Sequence, residues 1–298
     1  MQYCDRLGKA AMGDQLEPFG FLGADGVPIA GDARGPAEGL PVILSPGGGQ
    51  TRFAWGRGAA RLADAGFRAV SLDLRGHGES GWANDGYTID DYAEDLRRAM
   101  ELFDRPALLV GASLGGLASL IAAGEGSGRA PAGLCLVDVS PHLKSDGVEG
   151  ILGFMRRTTD GFATLEAAAD AVAGYLPHRP PPSDLDGLRK NLRHGDDGRW
   201  RWHWDPRTID PPLDPVTINP RLEAAADRIT APALLLRGAL SELVTREVAE
   251  SFMARFADGH VLDIPGARHM VAGDRNDIFG DALIDFARRV RGNGVGHD

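Results

Sequence analysis

Ala107-Leu-Leu-Val-Gly-Ala-Ser-Leu-Gly-Gly116 is the stretch that decides how the rest of the chain is interpreted. Its first four residues are apolar and predict a short buried strand, and the small and apolar residues after it have helical spacing. Between them, residues 111–115 predict a tight turn with Ser113 at its apex. Gly111 and Gly115 leave space where the strand and helix backbones approach each other. We therefore expect a strained turn that exposes the Ser113 hydroxyl as a nucleophile.

The composition is that of an ordinary globular protein. The chain has 298 residues, of which 43% are hydrophobic and 25% charged, and this suits one large α/β domain with an insertion. A net charge of −10 argues against a nucleic-acid partner. Cys4 and Cys135 do not form a disulfide framework and are expected to be reduced. No apolar run is long enough to span a bilayer and the N-terminus lacks a signal-peptide pattern, so we expect a cytoplasmic protein without membrane association.

Short apolar segments alternate with helical patterns along most of the chain. Besides the strand before Ser113, strands are predicted at residues 41–45, 67–74, 132–139, 233–238 and 260–264. Their near-continuous apolar character fits strands that are buried on both faces. The alternation predicts an α/β fold with a doubly wound, mostly parallel sheet. Ahead of it, residues 19–22 and 27–30 predict a hairpin around Asp25-Gly26.

The alternation is interrupted between residues 141 and 215. Residues 148–176 have a helical pattern, several prolines follow, and Trp200-Arg-Trp-His-Trp204 contains three tryptophans. We interpret 141–215 as a helical lid inserted between two parts of the core, residues 1–140 and 216–298. The tryptophans fit either the floor of an apolar pocket or an anchor between lid and core. The side chains expected to line a substrate pocket are Phe154, Trp202 and Trp204, together with the backbone at Gly49.

A serine nucleophile needs a histidine base, and the base needs an acid that orients it. In this architecture the residues follow the order serine, acid, histidine. His269 follows the last predicted strand and is the candidate base. Glu242, in the loop after the strand 233–238, is the preferred acid, although aspartate is the commoner residue in this role. Asp138, at the end of the preceding strand, is the alternative.

An oxyanion hole needs two backbone N–H donors, one beside the nucleophile and one from the loop after the first buried strand. Leu114 supplies the first, and Gly47-Gly-Gly49 supplies unhindered N–H groups for the second. Gly48 is the preferred donor and Gly49 the alternative. The tri-glycine lacks the G-K-[ST] ending of a phosphate-binding loop, and no His, Cys or Asp cluster has metal-ligand spacing. Neither a metal nor a cofactor is therefore expected.

These segments together resemble the α/β-hydrolase superfamily over about residues 19–290. Within it, the tri-glycine followed by Gln-Thr-Arg and the ending His269-Met-Val-Ala-Gly-Asp274 resemble bacterial lid-bearing serine esterases that are grouped with cofactor-free haloperoxidases. The resemblance implies ester hydrolysis through an acyl-enzyme, with Ser113, His269, Gly48 and Leu114 in the roles given above. Two positions depart from the family pattern. Pro46 stands where a histidine usually precedes the oxyanion glycine, and Glu242 stands where aspartate is usual.

The function expected from these observations is hydrolysis of a small or medium, mostly apolar carboxylic ester. Hydrolysis of a lactone or of a carbon–carbon bond is an alternative, because the same triad performs it. A ligand-binding member of the fold with very slow turnover is a further alternative, and it would show a large ligand-induced gain in stability. The expected partner is accordingly a small-molecule ester or lactone. The sequence is compatible with both a monomer and a homodimer.

Overall fold

One eight-stranded sheet forms the centre of the protein. The computed structural model describes residues 16–126, 128–179, 185–210 and 213–293. Within them the strands of the sheet lie in the order β1-β2-β4-β3-β5-β6-β9-β10. Their bounds are β1 Glu17–Leu22, β2 Pro28–Arg34, β3 Pro41–Ser45, β4 Arg68–Leu72, β5 Leu108–Ala112, β6 Gly133–Val137, β9 Ala233–Gly238 and β10 Gly259–Ile264.

The sheet is mostly parallel, as predicted. From β4 to β10 every neighbouring pair runs parallel, whereas β1 and β2 are paired antiparallel and β2 also runs antiparallel to β4. The turn between β1 and β2 contains Asp25 and Gly26, both with positive φ, so the predicted hairpin is confirmed. Because all parallel strands end at the same edge, the loops after β3, β5, β6, β9 and β10 lie side by side.

Helices cover both faces of the sheet, which is why its strands are apolar on both sides. In β3, Ile43 packs against the helices at Ile89–Glu101 and Ser113–Glu125, whereas Val42 and Leu44 pack against those at Gly56–Asp64 and Asn276–Asn293. All three side chains are fully buried. The helices outside the inserted segment are α1 Gly56–Asp64, α2 Ile89–Glu101, α3 Ser113–Glu125, α7 Pro215–Ala226, α8 Arg246–Met253, α9 Val271–Asp274 and α10 Asn276–Asn293.

Residues 141–215 contribute no strand to the main sheet in their described part. They contain α4 Ser145–Arg157, α5 Leu165–Tyr175, α6 Asp186–Arg189 and a separate two-stranded ribbon, β7 Leu192–His194 and β8 Trp200–Trp202. The helical pattern over 148–176 is thus divided into two helices. The break is at Gly161, whose φ is +74°, and Thr164 begins the second helix by accepting a hydrogen bond from the Ala167 N–H.

Cys135 is a free cysteine that is fully buried in β6, and this burial raises the pKa of its thiol. Cys4 lies outside the described residues.

Among the described residues, no helix combines the length and the apolar character needed to cross a membrane.

Gly111 is required by the close contact of β5 with α3, and Gly115 by the close contact of α3 with the end of β3. A Cβ atom at Gly111 would lie 2.4 Å from the Gly115 carbonyl oxygen, and one at Gly115 would lie 2.5 Å from the carbonyl oxygens of Ser45 and Pro46. Gly111→Ala is therefore expected to lower the free energy of unfolding by about 3 kcal/mol, because backbone atoms on both sides would have to move. Denaturant unfolding measures this.

Gly174→Ala is the matched control for that measurement. Gly174 is an exposed residue of α5, and a Cβ added there meets no atom within 4 Å. Since alanine also favours the helical conformation, this variant is expected to keep or slightly raise stability. Equal unfolding free energies for Gly111→Ala and the wild type would contradict the tight strand–helix contact.

Candidate active site

Ser113 occupies a strained turn between β5 and α3. Its φ is +46°, in the left-handed region that side chains other than glycine rarely adopt. Such a conformation costs about 1–3 kcal/mol and persists only where the surrounding packing fixes it, as the glycine contacts at the turn do here. Ser113 lies at the wall of a large cavity, as expected for a serine at the apex of a nucleophile turn.

Asp138 and His269 are held together beside this cavity. Nδ1 of His269 lies 2.9 Å from Oδ2 of Asp138, whose side chain is fully buried. A carboxylate only accepts hydrogen bonds, so Nδ1 must carry a proton, and Nε2 is the ring nitrogen left for proton transfer. Asp138 also accepts hydrogen bonds from the Gly238 N–H at 3.0 Å and the Ser241 hydroxyl at 2.6 Å. These donors fix the carboxylate and compensate for its burial.

The preference for Glu242 as the acid does not agree with this geometry and is corrected. The Glu242 side chain is 70% exposed and forms an ion pair with Arg268 instead of contacting His269. The turn after β9 directs Ser241 inwards to Asp138 and leaves the next side chain, that of Glu242, towards solvent. Asp138 reaches His269 because it follows β6, the strand between β5 and β9, with a φ of +48°.

The tri-glycine loop after β3 faces the serine turn. Its Gly49 N–H donates to Nε2 of His77 at 2.9 Å, so the alternative oxyanion donor is already engaged. The Gly47 N–H donates to Oε1 of Gln50 at 3.2 Å. Within the described residues no acceptor engages the Gly48 N–H, and a Cβ at Gly48 would lie 3.6 Å from the Leu114 side chain. Leu114 is the second residue of α3, where N–H groups have no acceptor within the helix.

His77 is a contributor to this loop that the sequence reasoning missed. It is fully buried, and desolvation lowers the pKa of its imidazole, which favours the neutral ring. Nδ1 lies 3.0 Å from the Arg75 carbonyl oxygen and must donate to it, which leaves Nε2 as the acceptor for Gly49. His77 thus supports the oxyanion loop where the family pattern would lead one to expect support from a histidine at position 46.

His77→Phe is expected to lower kcat by about 10- to 100-fold, because the Gly49 N–H loses its acceptor and the loop shifts away from the serine. KM should change less than kcat, since the cavity wall is retained. Steady-state kinetics on an activated ester measures the change in kcat and the change in KM separately. A thermal melt of the same variant reports on folding. His77→Gln, whose amide oxygen can still accept from Gly49, should lose less. An unchanged kcat in His77→Phe would exclude the positioning role.

The cavity has a volume of about 810 Å³ and contains the predicted pocket residues Gly49, Phe154, Trp202 and Trp204. Ser113 and His269 line the same space. The apolar part of its lining includes Trp55, Val137, Ile151, Phe154, Met155, Val172, Leu176, Trp202, Trp204, Met270 and Val271. Such a mixture of apolar walls with a few polar groups is typical of small-molecule sites.

The tryptophan segment has both of the roles considered from the sequence. Trp202 and Trp204 line the cavity, and Nε1 of Trp202 donates to the Thr158 hydroxyl at 2.9 Å. The neighbouring backbone is anchored to the turn after β4, because the Gly78 N–H donates to the His203 carbonyl oxygen and the Asp205 N–H to that of Gly76. Trp200 instead packs in a small apolar cluster within the inserted segment.

Among the described residues, no three His, Cys, Asp or Glu side chains are grouped to hold a metal ion. The polar groups around Ser113 include a histidine with a buried carboxylate and two backbone N–H groups. Such a set of groups at the strand ends of a mostly parallel sheet is typical of serine hydrolases.

The chain belongs to the alpha/beta hydrolase family, whose model matches residues 42–282. An esterase of Mycobacterium tuberculosis, Rv0045c, is 30% identical over 261 residues, which cover 84% of this chain and 82% of the esterase. A crystal structure of that esterase covers 94% of this chain and 93% of its own chain, with a TM-score of 0.71 and 27% identity. These similarities agree with the observed fold and identify the chain as a hydrolase of that fold.

Two further similarities extend over nearly the whole chain. A protein of Variovorax paradoxus that is provisionally named a carbamate hydrolase, RutD, is 38% identical over 296 residues, covering 90% of this chain and 99% of that protein. The crystal structure of an alpha/beta hydrolase from Novosphingobium aromaticivorans matches with a TM-score of 0.76 at 24% identity, covering 93% of this chain and 100% of that one. The second similarity concerns the fold alone.

Proposed function

We propose that this protein hydrolyses carboxylic esters through an acyl-enzyme on Ser113, with His269 as the base and Asp138 as the acid. The observation that carries the proposal is the 2.9 Å contact of Asp138 with Nδ1 of His269, beside a serine with a φ of +46° in the same cavity. The esterase among the similar proteins supports this choice of reaction.

In the proposed reaction the Ser113 oxygen attacks the ester carbonyl carbon while Nε2 of His269 takes the hydroxyl proton. The carbonyl oxygen becomes an oxyanion that accepts hydrogen bonds from the Gly48 and Leu114 N–H groups. His269 then donates its proton to the departing alcohol, and the acyl group stays on Ser113. Water attacks this acyl-enzyme, again losing a proton to His269, and the carboxylic acid leaves as Ser113 regains its proton.

Asp138 acts through His269 in this scheme. Its buried carboxylate keeps the proton on Nδ1 and stabilises the imidazolium that forms at each proton transfer. Ser241 and the Gly238 N–H hold the carboxylate at 2.6 Å and 3.0 Å, so that it does not turn away from the ring.

We further propose that residues 141–215 form the lid over the site. Ile151, Phe154 and Met155 of α4 line the cavity together with Trp202 of β8, so the inserted segment supplies much of the apolar wall. An apolar wall of this kind favours binding of a substrate whose acyl chain is apolar and of medium length.

The experiment that tests the function is hydrolysis of a p-nitrophenyl ester series from acetate to decanoate. We expect kcat/KM to rise with chain length up to a medium acyl group, because each added methylene buries apolar surface against α4 and β8. Lactones and a p-nitrophenyl carbamate are run beside the series. Turnover of these two classes with none for any ester would contradict the proposal.

A further inference from the structure

The described part of the cavity lining carries more positive than negative charge, although the chain as a whole has a net charge of −10. Among the described residues, the cationic side chains in its lining are Arg34, Arg52, Arg57, Arg179 and Lys190, and the carboxylate is that of Asp32. A concave surface with an excess of one sign attracts ligands of the opposite sign. Which of these cations are available to a ligand depends on their partners within the protein.

Two of the cations are already neutralised. Arg52 is paired with Asp32 at 2.8 Å, with Glu79 at 2.6 Å and with the buried Asp73. Arg179 is paired with Asp274 at 2.5 Å. Their charges are used in holding the loops around the site, and neither guanidinium is free to bind a carboxylate of the substrate without losing these contacts.

Arg57 and Lys190 differ from them, because neither has an acidic partner in the described part of the chain. Arg57 belongs to the first turn of α1 and Lys190 follows α6, and both are exposed at the cavity. Phe53 lies beside Lys190. The Lys190 amine lies 5.9 Å from the centre of its ring, and Arg57 comes four residues after it in the chain. Phe53 is 41% exposed.

The position of Lys190 is fixed relative to the oxyanion loop. The neighbouring Asn191 accepts a hydrogen bond of 2.7 Å from the hydroxyl of Thr51, the residue that follows Gln50 of that loop. The Asn191 carbonyl oxygen also accepts a hydrogen bond from the His203 N–H at 2.9 Å. Lys190 thus lies beside a residue that is hydrogen-bonded both to the core, at Thr51, and to the inserted segment, at His203.

We propose that Arg57 and Lys190 bind a carboxylate of the substrate, so that the preferred substrate is an anionic ester with an apolar spacer between the carboxylate and the scissile carbonyl. Half-esters of dicarboxylic acids have this chemistry. The inference rests on the proposed ester hydrolysis. It adds to that proposal a second functional group of the substrate, a carboxylate, and the residues that bind it.

The test compares phenyl half-esters of linear dicarboxylic acids, from adipic to sebacic acid, with neutral phenyl alkanoates of matched length. The measured quantity is the ratio of kcat/KM for the charged ester to that for the neutral one. A parallel series of 4-acyloxybenzoates places the carboxylate on the leaving group and so distinguishes the two ends of the substrate. We expect the half-esters to be preferred at one chain length, and added salt to reduce the preference because it screens the charges.

The double variant Arg57→Gln/Lys190→Gln is expected to lower this ratio at least tenfold. Arg105→Gln/Arg288→Gln is its matched control, since it makes the same change in net charge at two exposed arginines outside the cavity lining. The control should keep the wild-type ratio. A ratio that is the same in wild type and in the Arg57/Lys190 variant, or a fall of equal size in the control, would overturn the inference and leave ester hydrolysis standing.

A binding measurement makes the inference testable without turnover. Suberate, a dicarboxylate, is titrated calorimetrically into Ser113→Ala protein with and without the Arg57→Gln/Lys190→Gln changes. Binding that weakens at least tenfold with the two glutamines supports the carboxylate site even if no ester is hydrolysed, in which case only the proposed function has failed. Absence of binding to Ser113→Ala protein, together with no preference for half-esters, overturns the inference.

Discussion

Ser113→Ala is expected to lower kcat for ester hydrolysis by about 10⁴- to 10⁶-fold, because the oxyanion donors remain but no atom is left to form the acyl-enzyme. Steady-state and single-turnover assays on the best p-nitrophenyl ester of the series measure the loss. The thermal midpoint of the variant should stay at or above the wild-type value, since the strained φ of +46° suits alanine no worse than serine.

Ser119→Ala is the matched control for that variant. Ser119 lies in the same helix, is fully buried, and donates to the Gly115 carbonyl oxygen at 2.7 Å, away from the cavity. Its loss should change stability more than catalysis. Retention of kcat within about tenfold of the wild type in Ser113→Ala would rule out Ser113 as the nucleophile.

Asp138→Asn is expected to lower kcat by about 10³- to 10⁴-fold, whereas Glu242→Gln should stay within about threefold of the wild type. The asparagine is nearly isosteric, but its amide no longer favours the proton on Nδ1, so the histidine is held in the wrong tautomer. Glu242 is 70% exposed and paired with Arg268, so its charge is remote from the proton transfers. Both variants are assayed on the same ester, with thermal melts to exclude unfolding.

The two variants are each other's control, because each removes one negative charge from a loop at the same edge of the sheet. A larger loss in Glu242→Gln than in Asp138→Asn would mean that the acid is supplied from the loop after β9. Equal and small losses would mean that neither carboxylate orients His269.

The fold could be predicted from sequence because its determinants are local. Buried parallel strands need apolar residues on both faces, and β3, β5, β6 and β9 therefore stand out as apolar runs between helical patterns. The strained turn at Ser113 can be predicted for the same kind of reason. Gly111, Ser113 and Gly115 are close in sequence, and the backbone contacts that require Gly111 are made within one strand–turn–helix unit, whereas those that require Gly115 are made with Ser45 and Pro46.

The acid could not be decided in this way, since Asp138 and Glu242 both follow strands that end at the same edge. The choice depends on how the turn after β9 is folded, and that turn places Ser241 on Asp138 through a contact between residues 103 positions apart. The role of His77 was missed for a related reason. Its contact with Gly49 joins two loops that are far apart in the chain, and among the eight histidines it does not fit the order serine, acid, histidine, because it precedes Ser113.

The inserted segment was predicted least well. Its hydrophobic pattern indicated helices but gave no sign of the β7–β8 ribbon, whose strands have three residues each and are stabilised by contacts with Phe162 and with the turn after β4. Strands this short carry too little periodicity for a pattern to be detected.

The acyl-enzyme on Ser113 is the central claim, and trapping it is the most direct test. Asp138→Asn protein is mixed with excess p-nitrophenyl ester, quenched in acid during the first turnovers, and digested, and the peptide that contains Ser113 is analysed by mass spectrometry. We predict a mass increase equal to the acyl group on Ser113, and no such increase in protein that also carries Ser113→Ala. Continued turnover with no acyl group on Ser113, or with the group on another residue, would contradict the proposed mechanism.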